Sequence, residues 1–65
     1  MREEMLKSLK TLAQANVDKH RMNVEVFLNK PVGVGEHSDI METIEKELNS
    51  MSTYMDQIVV LDKYF

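Results

Sequence analysis

The second half of the chain alternates apolar and polar positions regularly, with apolar residues recurring every three or four places from residue 40 onward. An α-helix has about 3.6 residues per turn, so this spacing collects the apolar side chains on one face. Ser38 or Asp39 can cap the first turn, and Glu42 stands where the return partner of a capping box is expected. We therefore predict a long amphipathic helix over about residues 39–65. Its apolar positions are Ile40, Met41, Ile44, Leu48, Met51, Tyr54, Met55, Ile58, Leu61 and Phe65.

The first half follows a similar period, and it contains no proline or glycine before residue 31. Lys30 precedes Pro31 and is driven toward extended backbone geometry, so a helix should end near Asn29. The pattern predicts a first helix over about residues 3–29, and a start near Thr11 fits the same pattern. The positions in this stripe are Leu6, Leu9, Leu12, Ala13, Val17, His20, Val24, Phe27 and Leu28.

The segment N-K-P-V-G-V-G-E-H, residues 29–37, holds the only proline and both glycines of the chain. A dinucleotide-binding loop of the G-x-G-x-x-G type follows a strand and has a third glycine, whereas this segment follows a predicted helix and lacks that glycine. Glu36 and Asp39 also place negative charge where a bound phosphate would lie. We interpret residues 30–38 as a structural loop between the helices. The residues that end the first helix and permit the bend are Pro31, Gly33 and Gly35.

Two helices of similar length on either side of a short loop predict an antiparallel helical hairpin. If the chain turns back near residue 34, residues that face each other have numbers that sum to about 68. The loop sets this register independently of the apolar stripes. His20 then lies opposite Leu48. The other facing pairs are Leu28 with Ile40, Val24 with Ile44, Val17 with Met51, and Ala13 with Met55.

Two helices cannot cover all the apolar surface that this sequence predicts. Met22 and Val26 point away from the main stripe of the first helix, and Val59 and Val60 leave that of the second. We expect two hairpins to form an antiparallel four-helix bundle, so the fold class is all-α and the protein a homodimer. The six methionines suit a deformable core, although a methionine-rich surface can also receive other partners. The residues predicted for the core and oligomer interface are Leu6, Ala13, Val17, His20, Met22, Val24, Val26, Phe27, Leu28, Ile40, Ile44, Leu48, Met51, Tyr54, Met55, Ile58, Leu61 and Phe65.

At 65 residues the chain can form one small domain, and it has no cysteine, so neither a large core nor a disulfide can stabilise it. The N-terminal sequence lacks the apolar stretch of a signal peptide, and no apolar run reaches the roughly 18 residues of a membrane span. We expect a soluble, cytoplasmic protein. Residues 1–30 carry six Lys/Arg and four Asp/Glu, whereas residues 31–65 carry two and seven, so the two halves have opposite charge and are expected to lie side by side.

Neither histidine belongs to a recognisable catalytic or metal-binding motif. His20 lies in the apolar stripe of the first helix, and we interpret it as a partly buried histidine with one hydrogen-bonded nitrogen. The sequence has no Glu-x-x-His pair of the kind that binds metal in di-iron bundles. A metal held between symmetry-related copies at Glu36, His37 or Asp39 is an alternative. We expect no enzymatic activity, no cofactor and no metal.

Nucleic-acid binding is the alternative function, because Lys7, Lys10, Lys19 and Arg21 lie in the first predicted helix and Lys30 directly follows it. Four acidic residues interrupt this basic series, and it lacks the regularly interleaved aromatic residues that stack on bases. A solvated helix face accounts for these charges. The alternative to an interaction protein is therefore a small nucleic-acid-associated regulator that uses the basic face of the first helix.

The stretch from Met22 to Phe65 resembles small uncharacterised helical proteins of T4-like marine cyanophages. The segment N-K-P-V-G-V-G-E-H-S-D-I, the acidic helix after it and the terminal K-Y-F carry the resemblance. The resemblance implies a phage accessory protein in the cytoplasm of an infected host cell, where it would modulate a host or viral protein. It assigns no functional residue to this chain.

Overall fold

The computed structural model describes residues 1–29 and 37–65, and within these ranges the chain consists of two α-helices and no strand. Helix α1 spans Arg2–Leu28 and helix α2 spans His37–Tyr64. The two helices pack against each other along a molecule that measures 53 × 15 × 11 Å. The predicted all-α helical hairpin is confirmed. Neither helix, over the residues described, is both long and apolar enough to cross a lipid bilayer.

Helix α1 continues without a break because none of its 27 residues is a proline or a glycine. Glu3 and Glu4 lie in its first turn, where carboxylates interact favourably with the positive end of the helix dipole. Asn29 closes the helix, since its backbone N–H donates to the carbonyl oxygen of Glu25 at 3.1 Å and its side-chain amide donates to the same oxygen at 2.7 Å. The predicted end near Asn29 is therefore correct, and the later start near Thr11 is not adopted.

Helix α2 begins earlier than the sequence predicts. Its first residue is His37, so Ser38 and Asp39 lie inside the first turn and neither is the N-cap. Asp39 still stabilises the helix start, because its carboxylate lies near the positive end of the dipole. Thr43 donates its hydroxyl to the carbonyl oxygen of Asp39 at 2.8 Å, which satisfies that hydroxyl within the helix. The predictions made for Lys30, Pro31, Gly33, Gly35 and Glu36 lie outside the described residues.

The contact between the helices is built from one row of side chains on each helix, which we call the interhelical row. Its positions step alternately by four and three residues, the spacing of a two-stranded coiled coil. Among the described residues only Ala13 and Val17 are fully buried, at 2% and 7% exposure. The rest of the row is half-buried, apart from the exposed Lys10. The row consists of Leu6, Lys10, Ala13, Val17, His20, Val24 and Phe27 on α1, and Ile40, Ile44, Glu47, Met51, Tyr54, Ile58 and Leu61 on α2.

Part of the predicted core is exposed in the single chain. The exposed residues are Met22, Val26, Leu28, Leu48, Met55 and Phe65. For three of them the preceding residue occupies the interhelical row instead, namely Phe27, Glu47 and Tyr54. The predicted facing pairs that include Leu28, Leu48 or Met55 are therefore wrong by one position on the helix that carries that residue. The cause is the width of the apolar stripes, since periodicity alone does not decide which of two neighbouring residues faces the other helix.

Candidate interaction surfaces

A polar cluster interrupts the interhelical row near its middle. The Nδ1 of His20 on α1 is hydrogen-bonded to Oε2 of Glu47 on α2, and the Nδ2 of Asn23 donates to the same oxygen at 3.2 Å. The ring of Tyr54 stacks on the ring of His20, with centroids 5.9 Å apart and planes inclined by 9°. The side chains of His20 and Glu47 are 15% and 20% exposed. The interpretation of His20 as a partly buried histidine with one hydrogen-bonded nitrogen is confirmed.

Glu47 is the acidic side chain of this cluster. Hydrogen bonds from His20 and then from Asn23 hold the pKa of Glu47 below its ordinary value of 4.5, because they favour the ionised carboxylate. If α2 slid along α1 to the next position in the row, this carboxylate would face Val17 or Val24, which offer no hydrogen bond. The cluster therefore specifies one alignment of the two helices, in the way that a polar residue in a coiled-coil seam specifies register.

The sequence prediction that His20 faces Leu48 is wrong, because Glu47 occupies that place and Leu48 is exposed. Periodicity of apolar residues missed Glu47 because it counts only apolar positions. Steps of three and four residues lead from Ile44 to Met51 through position 48 as well as through position 47, so the spacing alone does not select Glu47.

The first exposed apolar surface lies at the end of the hairpin where α1 begins and α2 ends, and we call it the open-end patch. It comprises Met5, Leu9, Leu12, Val60 and Tyr64. Leu9, Leu12 and Val60 line one groove of about 370 Å³, and Met5 and Leu9 line an adjoining groove. Tyr64 lies one helical turn beyond Val60 on the same side of α2. Because both helices contribute, this patch has the form through which two helix pairs pack into a four-helix bundle.

The second exposed apolar surface consists of Met41, Leu48 and Met55, and we call it the α2 stripe. Each of these side chains is about half exposed or more. Each follows a residue of the interhelical row by one position, whereas Val60 precedes the row residue Leu61 by one position. One residue turns about 100° around a helix, so these steps lead to opposite sides of the row. The α2 stripe and the open-end patch therefore lie on opposite faces of the hairpin.

The basic residues of α1 do not share one face. Lys10 forms an ion pair with Asp62 of α2, and the Nε of Arg21 lies 4.0 Å from Oδ1 of Asp18. Lys19 is two residues from Arg21, so the two side chains leave α1 about 200° apart. Lys7, Lys10 and Arg21 lie within about 60° of one another around α1, whereas Lys19 lies on another side. Two of the three that share a side, Lys10 and Arg21, have acidic neighbours.

The hairpin exposes more surface than a compact protein of its mass. Its solvent-accessible surface is 5291 Å², whereas a compact 7.6 kDa monomer exposes about 4,300 Å² by the usual size scaling. Its radius of gyration is 15.4 Å, against about 11 Å for a compact domain of 65 residues. The surplus of about 1,000 Å² is similar to the roughly 800 Å² that each partner buries in a standard protein interface.

No group of three histidine, aspartate or glutamate side chains in the described part of the chain is placed to hold a metal ion. The alternative metal site includes Glu36, which lies outside that part. No protein-family model, curated protein or solved structure matches this chain. The two exposed apolar surfaces are therefore the basis for a functional proposal.

Proposed function

We propose that this protein is a non-enzymatic, homo-oligomeric helical interaction protein, an adaptor or modulator that packs its exposed apolar surfaces against other protein chains. The observation that carries the proposal is the surplus of about 1,000 Å² of surface over a compact monomer. Two helices with two fully buried residues among those described cannot enclose a core of their own. A second chain removes this surplus from water, and burial of apolar area stabilises the complex by roughly 25 cal/mol per Å².

The open-end patch is the surface through which we expect two copies to associate. Leu9 and Leu12 from α1 and Val60 from α2 would meet the same residues of the second copy across a twofold axis, as an isologous interface requires. Both hairpins then contribute two helices to one antiparallel four-helix bundle. Leucines and Tyr64 supply the apolar anchors, and the aromatic ring adds area at low conformational cost.

The resemblance to cyanophage proteins suggests a biological setting for this interaction. The protein would act as a phage accessory factor in the cytoplasm of the host cell, where it modulates a host or viral protein. The alternative, a nucleic-acid-associated regulator, has less support. It needs an uninterrupted basic face, whereas on the side of α1 that carries Lys10 and Arg21 both side chains have acidic neighbours.

Sedimentation equilibrium of two matched variants tests the proposed dimer. Leu12→Asp places a charge in the open-end patch and should convert the dimer to a monomer with unchanged helix content. Thr11→Asp places the same charge on the adjacent exposed residue outside the patch and should leave the mass unchanged. If Leu12→Asp sediments with the wild-type mass, or if both variants dissociate equally, the assignment of this surface is wrong.

A further inference from the structure

We infer that the α2 stripe is the docking site for an amphipathic α-helix with a basic polar face, supplied by a different protein. This inference rests on the proposed function, to which it adds the chemistry of the partner. Self-association uses the open-end patch, and the α2 stripe lies on the opposite face of the hairpin. A dimer built through the open-end patch therefore leaves a stripe exposed on each copy.

The spacing of the stripe selects a helix as its occupant. Met41, Leu48 and Met55 are separated by seven residues, so their side chains lie in line about 10.5 Å apart along α2. A helix laid along this line presents its own apolar side chains at the same interval, and knobs of one helix enter the spaces of the other. The stripe is about 21 Å long and so matches a partner helix of about four turns.

The composition of the stripe suits an occupant from another protein. Leu48 lies at the centre of the stripe between two methionines, and its branched side chain is less flexible than theirs. Methionine side chains are flexible and polarisable, so they adapt to apolar side chains of different size. Surfaces of this kind occur where one protein receives helices of differing sequence.

Acidic residues outnumber basic residues beside the stripe. On α2, Glu45 follows Met41 by four residues and precedes Leu48 by three, so it is adjacent to both on the helix surface. Glu42 and Glu45 are exposed and form no ion pair within the described part of the chain. On α1, Glu25 is exposed on the side of the row that bears the stripe, and Arg21 lies on the same side with the carboxylate of Asp18 4.0 Å from its Nε. A helix with lysine or arginine beside its apolar face is therefore the complementary partner.

The same charges disfavour a second copy of α2 in this place. Two antiparallel α2 helices related by an axis at Leu48 would bring Met41 of one against Met55 of the other. They would also place the two Glu45 side chains about 9 Å apart along the helix axis, an axial spacing similar to the Debye length of about 8–10 Å. Like charges at this distance oppose self-pairing and favour a basic helix.

Fluorescence anisotropy with two designed probes tests this inference on the whole protein. The first probe is a dye-labelled 18-residue helical peptide, about five turns long, with leucine at seven-residue intervals and flanking lysines. The second has glutamate in place of every lysine. We expect the basic probe to bind at least about tenfold more tightly than the acidic probe, with an affinity that falls as salt rises. Equal binding of the two probes, or binding of neither, would overturn the inference.

Three variants locate the binding site of the basic probe. Leu48→Asp should weaken its binding about tenfold or more, whereas Thr53→Asp, an exposed α2 residue on the far side from the stripe, should change it less than about threefold. The variant with both Glu42→Lys and Glu45→Lys should no longer bind the basic probe and should bind the acidic probe instead. Unchanged binding to Leu48→Asp, or loss of binding in Leu12→Asp, would contradict this location.

The mass of each variant separates this inference from the proposed function. Leu48→Asp should remain a dimer by light scattering while it loses the probe. A monomeric wild-type protein that still binds the basic probe would refute the dimer and support the stripe. A dimer that dissociates in Leu48→Asp but not in Leu12→Asp would show that a second copy occupies the stripe, and it would refute the inference.

Discussion

His20 of α1 and Glu47 of α2 share a hydrogen bond at the centre of the interhelical row, whose other positions are apolar except for Lys10. Asn23 donates a second hydrogen bond to the carboxylate, and the Tyr54 ring covers the histidine. This pair joins the two helices in one alignment. A hairpin with so little buried apolar surface depends on such a device, because apolar side chains alone permit several alignments of similar energy.

A double-mutant cycle measures the coupling free energy between His20 and Glu47. His20→Leu or Glu47→Leu alone should lower the free energy of unfolding, since each removes the hydrogen bond between the two side chains. The double variant should be at least as stable as wild type, because two leucines fill the row at those positions. Urea denaturation followed by circular dichroism gives the four free energies of unfolding. Additive losses in the double variant would show that the pair is not coupled.

Acid should weaken the hairpin through Glu47. Its pKa is lowered in the folded state, mainly by the hydrogen bond from His20, so its contribution is complete well above the ordinary value of 4.5. That contribution decreases as the pH falls below 4.5 and through the lowered pKa. The thermal midpoint of wild type should therefore exceed that of Glu47→Gln near neutral pH, and the difference should be smaller at an acidic pH below 4.5. A difference that is the same at both pH values would contradict this account.

The tightest part of the interhelical row is at Ala13, which is 2% exposed. Ala13→Leu adds three carbon atoms where there is no room, and it should destabilise the hairpin by about 1–3 kcal/mol. Ala15→Leu makes the same change on the exposed side of α1, where the expected effect is within about 0.5 kcal/mol. Chemical denaturation of both variants compares them directly. Equal effects would mean that Ala13 is not packed against α2.

Lys10 occupies a row position and is exposed, with an ion pair to Asp62. An exposed ion pair stabilises a protein by about 0–1 kcal/mol, and leucine at a row position gains from burial against α2. Lys10→Leu should therefore leave stability unchanged or raise it by up to about 1 kcal/mol. A loss of stability larger than about 1 kcal/mol in thermal denaturation would show that the ion pair stabilises the hairpin more than an exposed pair normally does.

The sequence was sufficient to predict the two helices and their antiparallel pairing. Each half of the chain has a long, regular apolar period without an internal proline or glycine, so the prediction of a helix is unambiguous. The segment at residues 29–37, which contains the proline and both glycines, separates the two helices and lets them lie side by side. The end of α1 near Asn29 is predictable because Lys30 precedes Pro31. The start of α2 is not, because His37 has no sequence signal that marks it as the first helical residue.

The partners across the hairpin were harder to predict. At residues 27–28 and 54–55 two neighbouring apolar side chains compete for one place in the row, and periodicity does not choose between them. At position 47 an acidic residue takes the place, because His20 offers it a hydrogen bond from the other helix. Pairing between distant polar residues is a tertiary property, so the pattern along one helix does not contain it.

The expected dimer is the central claim, and multi-angle light scattering of the wild-type protein during size-exclusion chromatography tests it most directly. The account predicts a species of twice the 7.6 kDa chain mass, which dissociates only on strong dilution. A mass of 7.6 kDa at every concentration, up to the limit of solubility, would contradict it.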